Sequence, residues 1–396
     1  MRAIVSVGGE VLGALPAFPV ESPWWADVEP VARYLDALLG VRTDVLRIAG
    51  VVGGQSPRGG EVTYLVEAAE PPRADLTWEP VEQTGDHPLR APYAEPGGPR
   101  AILDWADEAL AAYGRPRVGP PVQVKTWNLS CVYELPTAGG PVWSKTTRTF
   151  ESPEPVAIAL VGAHDPLLVP TVLAADAIAG RMLLDHIPGE DCWDADEAII
   201  GVAIRRWVAV QAALAGTLGD DLPDRRPTTM PARLDRLPAA AANLTAEERD
   251  ALDELLADLP ALSAAVAATG LPETLVHGDF HPGNWRSDGS GVTFVDWSDW
   301  SRGHPATDVL RLAAYLPPEL WRVAVRAWVD AWTAVLPAAN PAAAVPLLTP
   351  LDHLQTALTY QGFLDHIEPD EYRYHLSDPA EQLRLALAAH QELVTA

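Results

Sequence analysis

Cysteine, methionine and cationic side chains are scarce in this sequence. Among 396 residues there are 2 Cys and 3 Met, and 28 Lys and Arg stand against 54 Asp and Glu, so the formal net charge at pH 7 is −26. Two cysteines in a chain of this length argue against a disulfide framework and are typical of a reducing compartment, which predicts a cytoplasmic protein. A surface this acidic repels phosphate backbones and anionic lipids, which argues against nucleic-acid and membrane partners.

Long apolar runs are also missing. No stretch of 18 or more apolar residues occurs, so the sequence predicts no transmembrane helix. Near the N-terminus Gly8 and Gly9 interrupt the apolar stretch and no basic cluster precedes it, which favours a β-hairpin over a secretory signal. The composition, 48% hydrophobic and 21% charged, is that of a folded globular protein. At about 150 residues per domain, the length suggests two or three structural units.

The first of three regions is a predicted small α+β subdomain over residues 1–115. Four strand-like stretches surround one amphipathic helix, which Gly40 ends. The predicted strands cover residues 3–7, 11–15, 44–52 and 61–68. Residues 71–99 are rich in Pro, Gly and charge, which predicts an irregular connection, and a helix over 101–113 then leads to the first boundary.

The remaining two regions differ in type. Residues 116–188 return to strand composition. The strands predicted there cover residues 122–127, 129–135 and 142–145. From residue 189 to 396 the chain is mainly helical, and its tryptophans at helical spacing, such as Trp207, Trp328 and Trp332, are predicted to lie in a core.

The segment 275–310 carries the residues with the clearest chemistry. Asp279 and Asn284 lie on a loop that proline and glycine keep non-helical, and residues 292–295 predict a short apolar strand that ends at the carboxylate of Asp296. Phosphoryl transfer requires an oriented nucleophile and neutralisation of the developing charge. One aspartate that accepts the substrate proton, with an asparagine and a second aspartate that bind Mg²⁺, meets both requirements. The alternative is structural, with turn or capping roles for Asp279 and Asn284.

This segment resembles the aminoglycoside phosphotransferase family, distant relatives of protein kinases that include choline kinases and several sugar kinases. The family's H-G-D-x-x-x-x-N loop is matched at residues 277–284, its metal aspartate by Asp296, and its G-x-P-x-x-D tail at residues 303–308. The resemblance implies an α+β, bilobal protein kinase-like fold. It also implies that Asp279 is the catalytic residue and that Asn284 and Asp296 hold Mg²⁺.

The resemblance covers approximately residues 120–396 and is strongest over 277–308. Some sugar kinases of this superfamily, such as maltokinase and the glucosamine kinases, carry an N-terminal cap of comparable size, so residues 1–115 are expected to form an extra α+β cap subdomain. Within the motif, His277 is expected to pack instead of titrating, and Asp308 is expected to brace the catalytic loop.

The resemblance further implies a nucleotide-binding lobe over residues 116–188. A kinase-like lobe needs a strand lysine that holds phosphates and an acid that positions this lysine. Lys145 is preferred over Lys125 for the first role, and Glu154 over Glu151 for the second. The implied cofactors are Mg²⁺ and either ATP or GTP as phosphate donor.

Two shorter segments complete the predicted nucleotide site. The phosphate-covering loop lacks the G-x-G-x-x-G pattern and reads TWNLSC, in which Asn128 and Ser130 either bind phosphate or only form the turn. The main chain near Asp185, His186 and Ile187 resembles the family's hinge between lobes and is expected to bind the purine edge.

The acceptor is expected to bind in the helical region near Asp279. Carboxylates beside aromatic side chains favour an amino sugar such as glucosamine, or an aminoglycoside. The candidate lining residues are Asp299, Trp300, Asp365, Glu368, Asp370, Glu371 and Tyr372. A chain with 54 acidic residues also shows acidic clusters without function, and this alternative stays open.

The sequence therefore predicts a Mg²⁺-dependent phosphotransferase that moves the γ-phosphate of a nucleoside triphosphate to a hydroxyl of a small, sugar-like, amino-bearing molecule. The alternative is a catalytically inactive kinase-like module that binds nucleotide or ligand without turnover. The irregular phosphate loop and the prolines around Glu154 favour that alternative, and the complete set of Asp279, Asn284 and Asp296 argues against it.

Overall fold

The computed structural model describes residues 1–74, 76–81, 85–150 and 152–395. The described chain forms two compact units. The first unit contains Met1–Phe150, Thr171–His186 and Leu364–Leu376. The second contains residues 152–170, 187–363 and 377–395. None of the helices in the described part is long and apolar enough to cross a membrane.

The first sheet of the first unit consists of the strands that the sequence pattern predicts. They are β1 (Arg2–Val7), β2 (Glu10–Leu15), β3 (Thr43–Val52) and β4 (Glu61–Ala68). The order is β2-β1-β4-β3, with β1 parallel to β4 and the other neighbours antiparallel. Helix α1 (Glu29–Leu39) buries Leu35 and Leu39 and ends at Gly40, whose φ of 70° suits a residue without a β-carbon.

A second sheet follows in the same unit. Its strands are β5 (Val122–Thr126), β6 (Ser130–Thr137), β7 (Gly140–Thr147), β8 (Val172–Asp176) and β9 (Arg181–Asp185). They are antiparallel in the order β5-β6-β7-β9-β8. Helix α2 (Gly98–Ala112) places Ile102 and Leu110 in one apolar cluster with Cys131 and Tyr133 of β6.

Polar side chains join the two sheets. The amide of Gln123 on β5 bonds both main-chain groups of Val45 on β3, at 2.7 and 2.8 Å. The Tyr133 hydroxyl donates to Asp44 at 3.0 Å. Residues 1–115 and the second sheet are therefore parts of one compact unit, although the sequence predicted a boundary near residue 116.

A segment from late in the chain completes the first unit. Leu364–Leu376 belongs to it, and Tyr374 joins the apolar cluster of the first sheet. Glu368 is 2% exposed and is held by Arg90 at 2.9 Å and by Arg47 at 3.5 Å. Such pairing is required, because a carboxylate that leaves water without a counter-charge is strongly destabilising.

The second unit is mainly helical. Its helices are α3 (Glu154–Gly162), α4 (Glu197–Leu214), α5 (Leu237–Ala240), α6 (Ala246–Ala268), α7 (Ala306–Arg311), α8 (Pro318–Val335), α9 (Pro341–His366) and α10 (Asp378–Thr395). The end of α9, from Leu364 onward, belongs to the first unit. Its short strands are β10 (Glu190–Asp191), β11 (Thr274–Val276), β12 (Trp285–Ser287), β13 (Thr293–Phe294) and β14 (Ser301–Gly303). The first sheet of this unit has the order β10-β12-β13, and β11 pairs with β14.

Aromatic side chains form the core beneath the loop that follows β11. The ring of Trp207 on α4 lies 5.5 to 6.2 Å from the rings of Phe280, Phe294 and Trp297. Trp285 lies 4.9 Å from Phe280. All five side chains are buried, so Trp207 is the core residue that its helical spacing predicts.

Candidate active site

One buried carboxylate holds the loop after β11. Asp308 on α7 is 1% exposed, and its two oxygens accept the main-chain N–H groups of His277 and Gly278, each at 3.0 Å. The indole of Trp207 and the amide of Gln211 donate to the same carboxylate at 2.7 and 3.1 Å. Burial raises the pKa of Asp308 to about 6, against the effect of these hydrogen bonds. Asp308 therefore braces the loop.

His277 is a packing residue with both ring nitrogens engaged. It is fully buried, its Nδ1 accepts from the N–H of Asp279 at 3.3 Å, and its Nε2 lies 3.0 Å from the carbonyl oxygen of Val295. Burial lowers the pKa of His277 to about 4. The neutral ring therefore donates to Val295 and fixes the backbone of Asp279.

Four donor atoms surround the carboxylate of Asp279. Arg311 directs Nε and Nη2 to Oδ1, at 2.9 and 2.8 Å. Asn284 Nδ2 donates to Oδ2 at 3.0 Å, and His281 Nε2 lies 3.3 Å from the same oxygen. Burial by itself would raise the pKa of Asp279, but the Arg311 guanidinium, together with His281, holds this pKa well below its usual range. The carboxylate is therefore ionised at neutral pH.

Sequence reasoning missed Arg311 and His281. Arg311 lies on α7 three residues after Asp308, so one short helix supplies both the brace of the loop and the partner of Asp279. This i,i+3 spacing was a signal available in the sequence. His281 stacks on Tyr315 at 4.2 Å, and its Nδ1 accepts from a main-chain N–H, which leaves Nε2–H to face Asp279. Nothing in the sequence distinguished His281 from another loop histidine.

Arg311→Met is expected to move the acid limb of the pH–activity profile to higher pH. The guanidinium lowers the pKa of Asp279, so its removal lets the carboxylate bind a proton at a higher pH, and a protonated Asp279 could not serve as the predicted acceptor of the substrate proton. Values of kcat/KM measured from about pH 4 to about pH 8 report the shift. Arg311→Lys keeps the positive charge and is the control. An Arg311→Met profile that superimposes on the wild-type profile would contradict this role.

Asn284 and Asp296 present oxygen atoms of the kind that Mg²⁺ prefers. The amide nitrogen of Asn284 is engaged by Asp279, so its Oδ1 is the atom turned to other partners. The main-chain carbonyl of Asn284 accepts from the N–H of Val295 at 2.9 Å, which brings Asp296 next to it. Asp296 has a φ of 60°, the one positive φ outside glycine among the described residues.

Neighbouring groups keep this unusual backbone in place. The Ser298 hydroxyl donates to Asp296 at 2.8 Å, and Glu154 accepts from the N–H of Trp297 at 2.9 Å. Strain of this kind concentrates at functional sites. No group of three or more His, Cys, Asp or Glu side chains in the described ranges is placed to hold a metal ion. An amide and a carboxylate fit Mg²⁺, which completes its shell with water and phosphate oxygens.

The lysine and glutamate candidates lie in different units. Lys145 on β7 is buried, whereas its competitor Lys125 on β5 is exposed. Glu154 begins α3 in the second unit. Glu151 lies outside the described residues. The pairing of Lys145 with Glu154 stays a prediction.

The loop between β5 and β6 distinguishes its two candidates. Ser130 Oγ accepts from the indole of Trp127 at 2.8 Å, so Ser130 closes the turn. Asn128 is fully buried, and within the described structure neither atom of its amide group has a hydrogen-bond partner. Because an unpaired buried amide is destabilising, Asn128 is the better candidate for a ligand contact.

In the predicted hinge, the main-chain N–H groups of Asp185 and His186 are hydrogen-bonded within the protein. The N–H of Asp185 donates to the carbonyl of Thr171 at 2.9 Å, and the N–H of His186 donates to the Asp185 carboxylate at 3.0 Å. These two N–H groups are therefore already hydrogen-bonded, and purine binding by the main chain near Asp185, His186 and Ile187 stays a prediction. The chain passes from the first unit to the second between His186 and Ile187.

The predicted acceptor-binding residues lie in two different units of the structure. Asp299 lines a pocket together with Asp279. Trp300 is fully buried and its indole donates to the carbonyl of Pro153 at 3.3 Å, so it is a core residue. The other candidates belong to the first unit, namely Asp365, Glu368, Asp370, Glu371 and Tyr372. Their acidity predicted an acceptor site, but Glu368 instead neutralises buried arginines.

The pocket beside Asp279 lies within the second unit, and charged and hydrogen-bonding side chains contribute to its lining. Its charged lining residues are Arg225, Asp279, Asp299, Arg311 and Asp352. Helix α9 adds the amide and hydroxyl groups of Gln355, Thr356, Thr359 and Tyr360. A few convergent polar groups in a concave site are typical of small-molecule recognition.

Residues 152–347 match the model of the phosphotransferase enzyme family, APH. This part of the chain belongs to the phosphotransferase enzyme family. The matched residues contain the loop at 277–284, Asp296 and Asp308, so the resemblance is confirmed and the protein is a phosphotransferase of the kinase type. No curated protein sequence matches the phosphotransferase significantly.

Solved structures show the fold of this phosphotransferase. A choline kinase from Streptococcus pneumoniae has a TM-score of 0.53 at 12% identity and covers 73% of this chain and 99% of its own. A choline kinase from Cryptosporidium parvum has a TM-score of 0.51 at 10% identity, and the match covers 75% of this chain and 96% of that kinase. A choline/ethanolamine kinase family protein from Mesorhizobium loti has a TM-score of 0.50 at 20% identity, and the match covers 73% of this chain and 98% of that protein. The predicted kinase-like α+β fold is thereby confirmed.

Proposed function

We propose that this phosphotransferase is a Mg²⁺-dependent kinase that moves the γ-phosphate of a nucleoside triphosphate to a hydroxyl of a small, sugar-like acceptor. The observation that carries the proposal is the ionised carboxylate of Asp279, which lines a pocket of the second unit and accepts a hydrogen bond from Asn284, next to Asp296. Phosphoryl transfer needs one group that orients the hydroxyl and others that hold the metal.

In the proposed reaction Asp279 orients the acceptor hydroxyl and accepts its proton at a carboxylate oxygen. Because the pKa of Asp279 is held low, it is a weak base, and the proton leaves once the hydroxyl oxygen has begun to bond to phosphorus. This timing suits a loose transition state, for which position matters more than base strength. Asp308 and His277 supply that position by fixing the loop.

The remaining groups serve the donor nucleotide. Asn284 and Asp296 are proposed to hold Mg²⁺, whose charge, when it is bound, offsets that of the phosphates. Lys145 is proposed to bind phosphate oxygens of ATP or GTP, with Glu154 as its positioning partner and Asn128 as a further phosphate contact.

The proposed acceptor is sugar-like because hydroxyl and amide groups dominate the part of the pocket that α9 contributes. The predicted amino group has less support. The acidic residues 365–371 belong to the first unit, and the Asp299 carboxylate is bonded by Arg225 at 3.1 Å.

The test of the function is acceptor-dependent formation of nucleoside diphosphate, with Mg²⁺ and either ATP or GTP. The acceptors are neutral monosaccharides, amino sugars, choline-like amines and aminoglycosides. Product from one of these classes is the expected result. Nucleotide binding without product from any class would favour the inactive binding module.

Removal of divalent cations with EDTA is expected to abolish turnover. The variant Asp296→Asn is expected to raise the Mg²⁺ concentration that gives half-maximal activity by about tenfold or more. The amide keeps the size of the carboxylate but loses the charge that binds the cation. Activity titrated against Mg²⁺ measures the change. Asp288→Asn, at an exposed turn of the same unit, is the matched control. An unaltered Mg²⁺ requirement in Asp296→Asn would remove this residue from the metal site.

A further inference from the structure

The pocket beside Asp279 contains two buried polar atoms that the proposed reaction does not use. Ser301 is fully buried and Gln355 is 9% exposed, and both line the pocket. In the part of the chain that the structure describes, Ser301 Oγ and Gln355 Oε1 are shielded from solvent and have no hydrogen-bond partner. Because an unpaired buried polar atom is destabilising, such atoms in a pocket wall point to polar groups on a ligand.

Helix α9 orients the amide of Gln355. Its Nε2 donates to Thr359 Oγ1 at 3.2 Å, and the Thr359 hydroxyl donates to the main-chain carbonyl of Gln355 at 3.1 Å. With its nitrogen engaged, the amide offers its oxygen as an acceptor. Gln355 therefore suits a hydrogen-bond donor on the ligand, such as a hydroxyl group.

Charge in the pocket is largely compensated. Arg311 pairs with Asp279 at 2.8 Å, and Arg225 bonds the Asp299 carboxylate at 3.1 Å. Asp352 is the third carboxylate of the lining. Two guanidinium groups against three carboxylates leave one excess negative charge, which does not offset several ammonium groups.

We propose that Gln355 and Ser301 recognise hydroxyl groups of a neutral or singly charged polyol, a monosaccharide-like acceptor, beside the hydroxyl that Asp279 orients. One acceptor hydroxyl donates to Gln355 Oε1, and a second hydroxyl bonds Ser301 Oγ. The inference rests on the proposed kinase function and narrows its acceptor class. It excludes polycationic aminoglycosides, because their additional ammonium groups find no uncompensated carboxylates in this pocket.

Gln355→Leu tests this recognition with glucose, galactose, mannose, glucosamine and kanamycin as probes. The KM of the best monosaccharide is expected to rise by about ten- to hundredfold, and the KM of the nucleotide is expected to stay at the wild-type value. Gln391→Leu makes the same change at an exposed position of α10 and is the control. Thermal unfolding of both variants separates loss of recognition from loss of folding. An unchanged acceptor KM in a folded Gln355→Leu protein would overturn the proposal.

Deoxy derivatives of the best monosaccharide identify the hydroxyl that Gln355 binds. With the wild-type enzyme, removal of that hydroxyl is expected to raise the acceptor KM by the same factor as Gln355→Leu does. The two changes together are expected to raise the acceptor KM no more than either change alone. Fully additive losses at every hydroxyl would overturn the assignment.

The charge of the acceptor gives an independent readout. Gln355→Glu keeps an acceptor oxygen and adds a negative charge, so it is expected to shift kcat/KM in favour of glucosamine over glucose by about tenfold. Phosphorylation of kanamycin but of no monosaccharide would leave the kinase function standing and overturn this inference. No product from any probe with the wild-type enzyme would overturn both.

Discussion

Asp279→Asn is expected to reduce acceptor-dependent turnover by about a hundred- to ten-thousandfold, while nucleotide affinity stays near the wild-type value. The amide cannot accept the hydroxyl proton, and its nitrogen replaces one of two acceptor oxygens that Arg311, Asn284 and His281 surround. Turnover measured with a saturating acceptor, together with direct titration of the nucleotide, separates loss of chemistry from loss of binding.

Asp279→Asn leaves Arg311 without its counter-charge, so the thermal unfolding of this variant has to be measured as well. The double variant Asp279→Asn/Arg311→Met removes this unpaired guanidinium and is expected to unfold at a higher temperature than the single variant, while it stays inactive. Asp330→Asn, at an exposed position of α8, is the matched control. Undiminished turnover by a folded Asp279→Asn protein would exclude Asp279 as the catalytic residue.

Asp308→Asn is expected to lower both stability and turnover. The carboxylate accepts N–H groups from His277, Gly278, Trp207 and Gln211, whereas an amide offers one oxygen and turns its own N–H groups towards donors. About two buried donors lose their acceptor at about 1–3 kcal/mol each, so the free energy of unfolding is expected to fall by about 2–6 kcal/mol. Turnover falls because the loop that carries Asp279 is no longer fixed. Urea unfolding and kcat are the measurements.

The pH dependence of stability gives Asp308 a second signature. Its pKa is about 6 in the folded protein, against about 3.9 for an unperturbed aspartate. Between about pH 4 and about pH 6 the folded protein binds a proton that the unfolded chain lacks, so this group's contribution to stability falls as the pH rises through that window. Asp308→Asn removes this contribution, so the free energy of unfolding is expected to change less with pH between about pH 4 and about pH 6. Asp253→Asn, exposed on α6, is expected to keep the wild-type slope; equal slopes in all three proteins would contradict the role of Asp308.

The strands and the family motif were predictable because their signals are local. The strands of the first sheet are short apolar stretches next to glycines, with regular two-residue alternation in β4, and they are observed within two residues of the predicted limits. The loop at 277–284 and Asp296 are close in sequence, so the hydrogen bonds from Asn284 to Asp279 and from Val295 to Asn284 need only a short chain reversal.

The surroundings of the acceptor candidates could not be predicted from the sequence. Residues 365–372 combine carboxylates with a tyrosine, which favoured a binding surface for a cation. In the structure this segment belongs to the first unit, where Glu368 meets Arg90, a residue 278 positions earlier. An acidic cluster that binds a ligand and one that neutralises buried arginines have the same local sequence.

The sequence by itself predicted the fold class and the family, which are confirmed, and it supplied the proposed catalytic set of Asp279, Asn284 and Asp296, because periodicity and motif spacing are properties of short segments. Only the tertiary structure decided what surrounds that set. Three features depend on contacts between distant parts of the chain, namely the guanidinium of Arg311 on Asp279, the Gln355 amide oxygen in the pocket wall and the membership of residues 364–376 in the first unit. Burial and Coulomb interactions act through space, and no local pattern encodes which charges meet there.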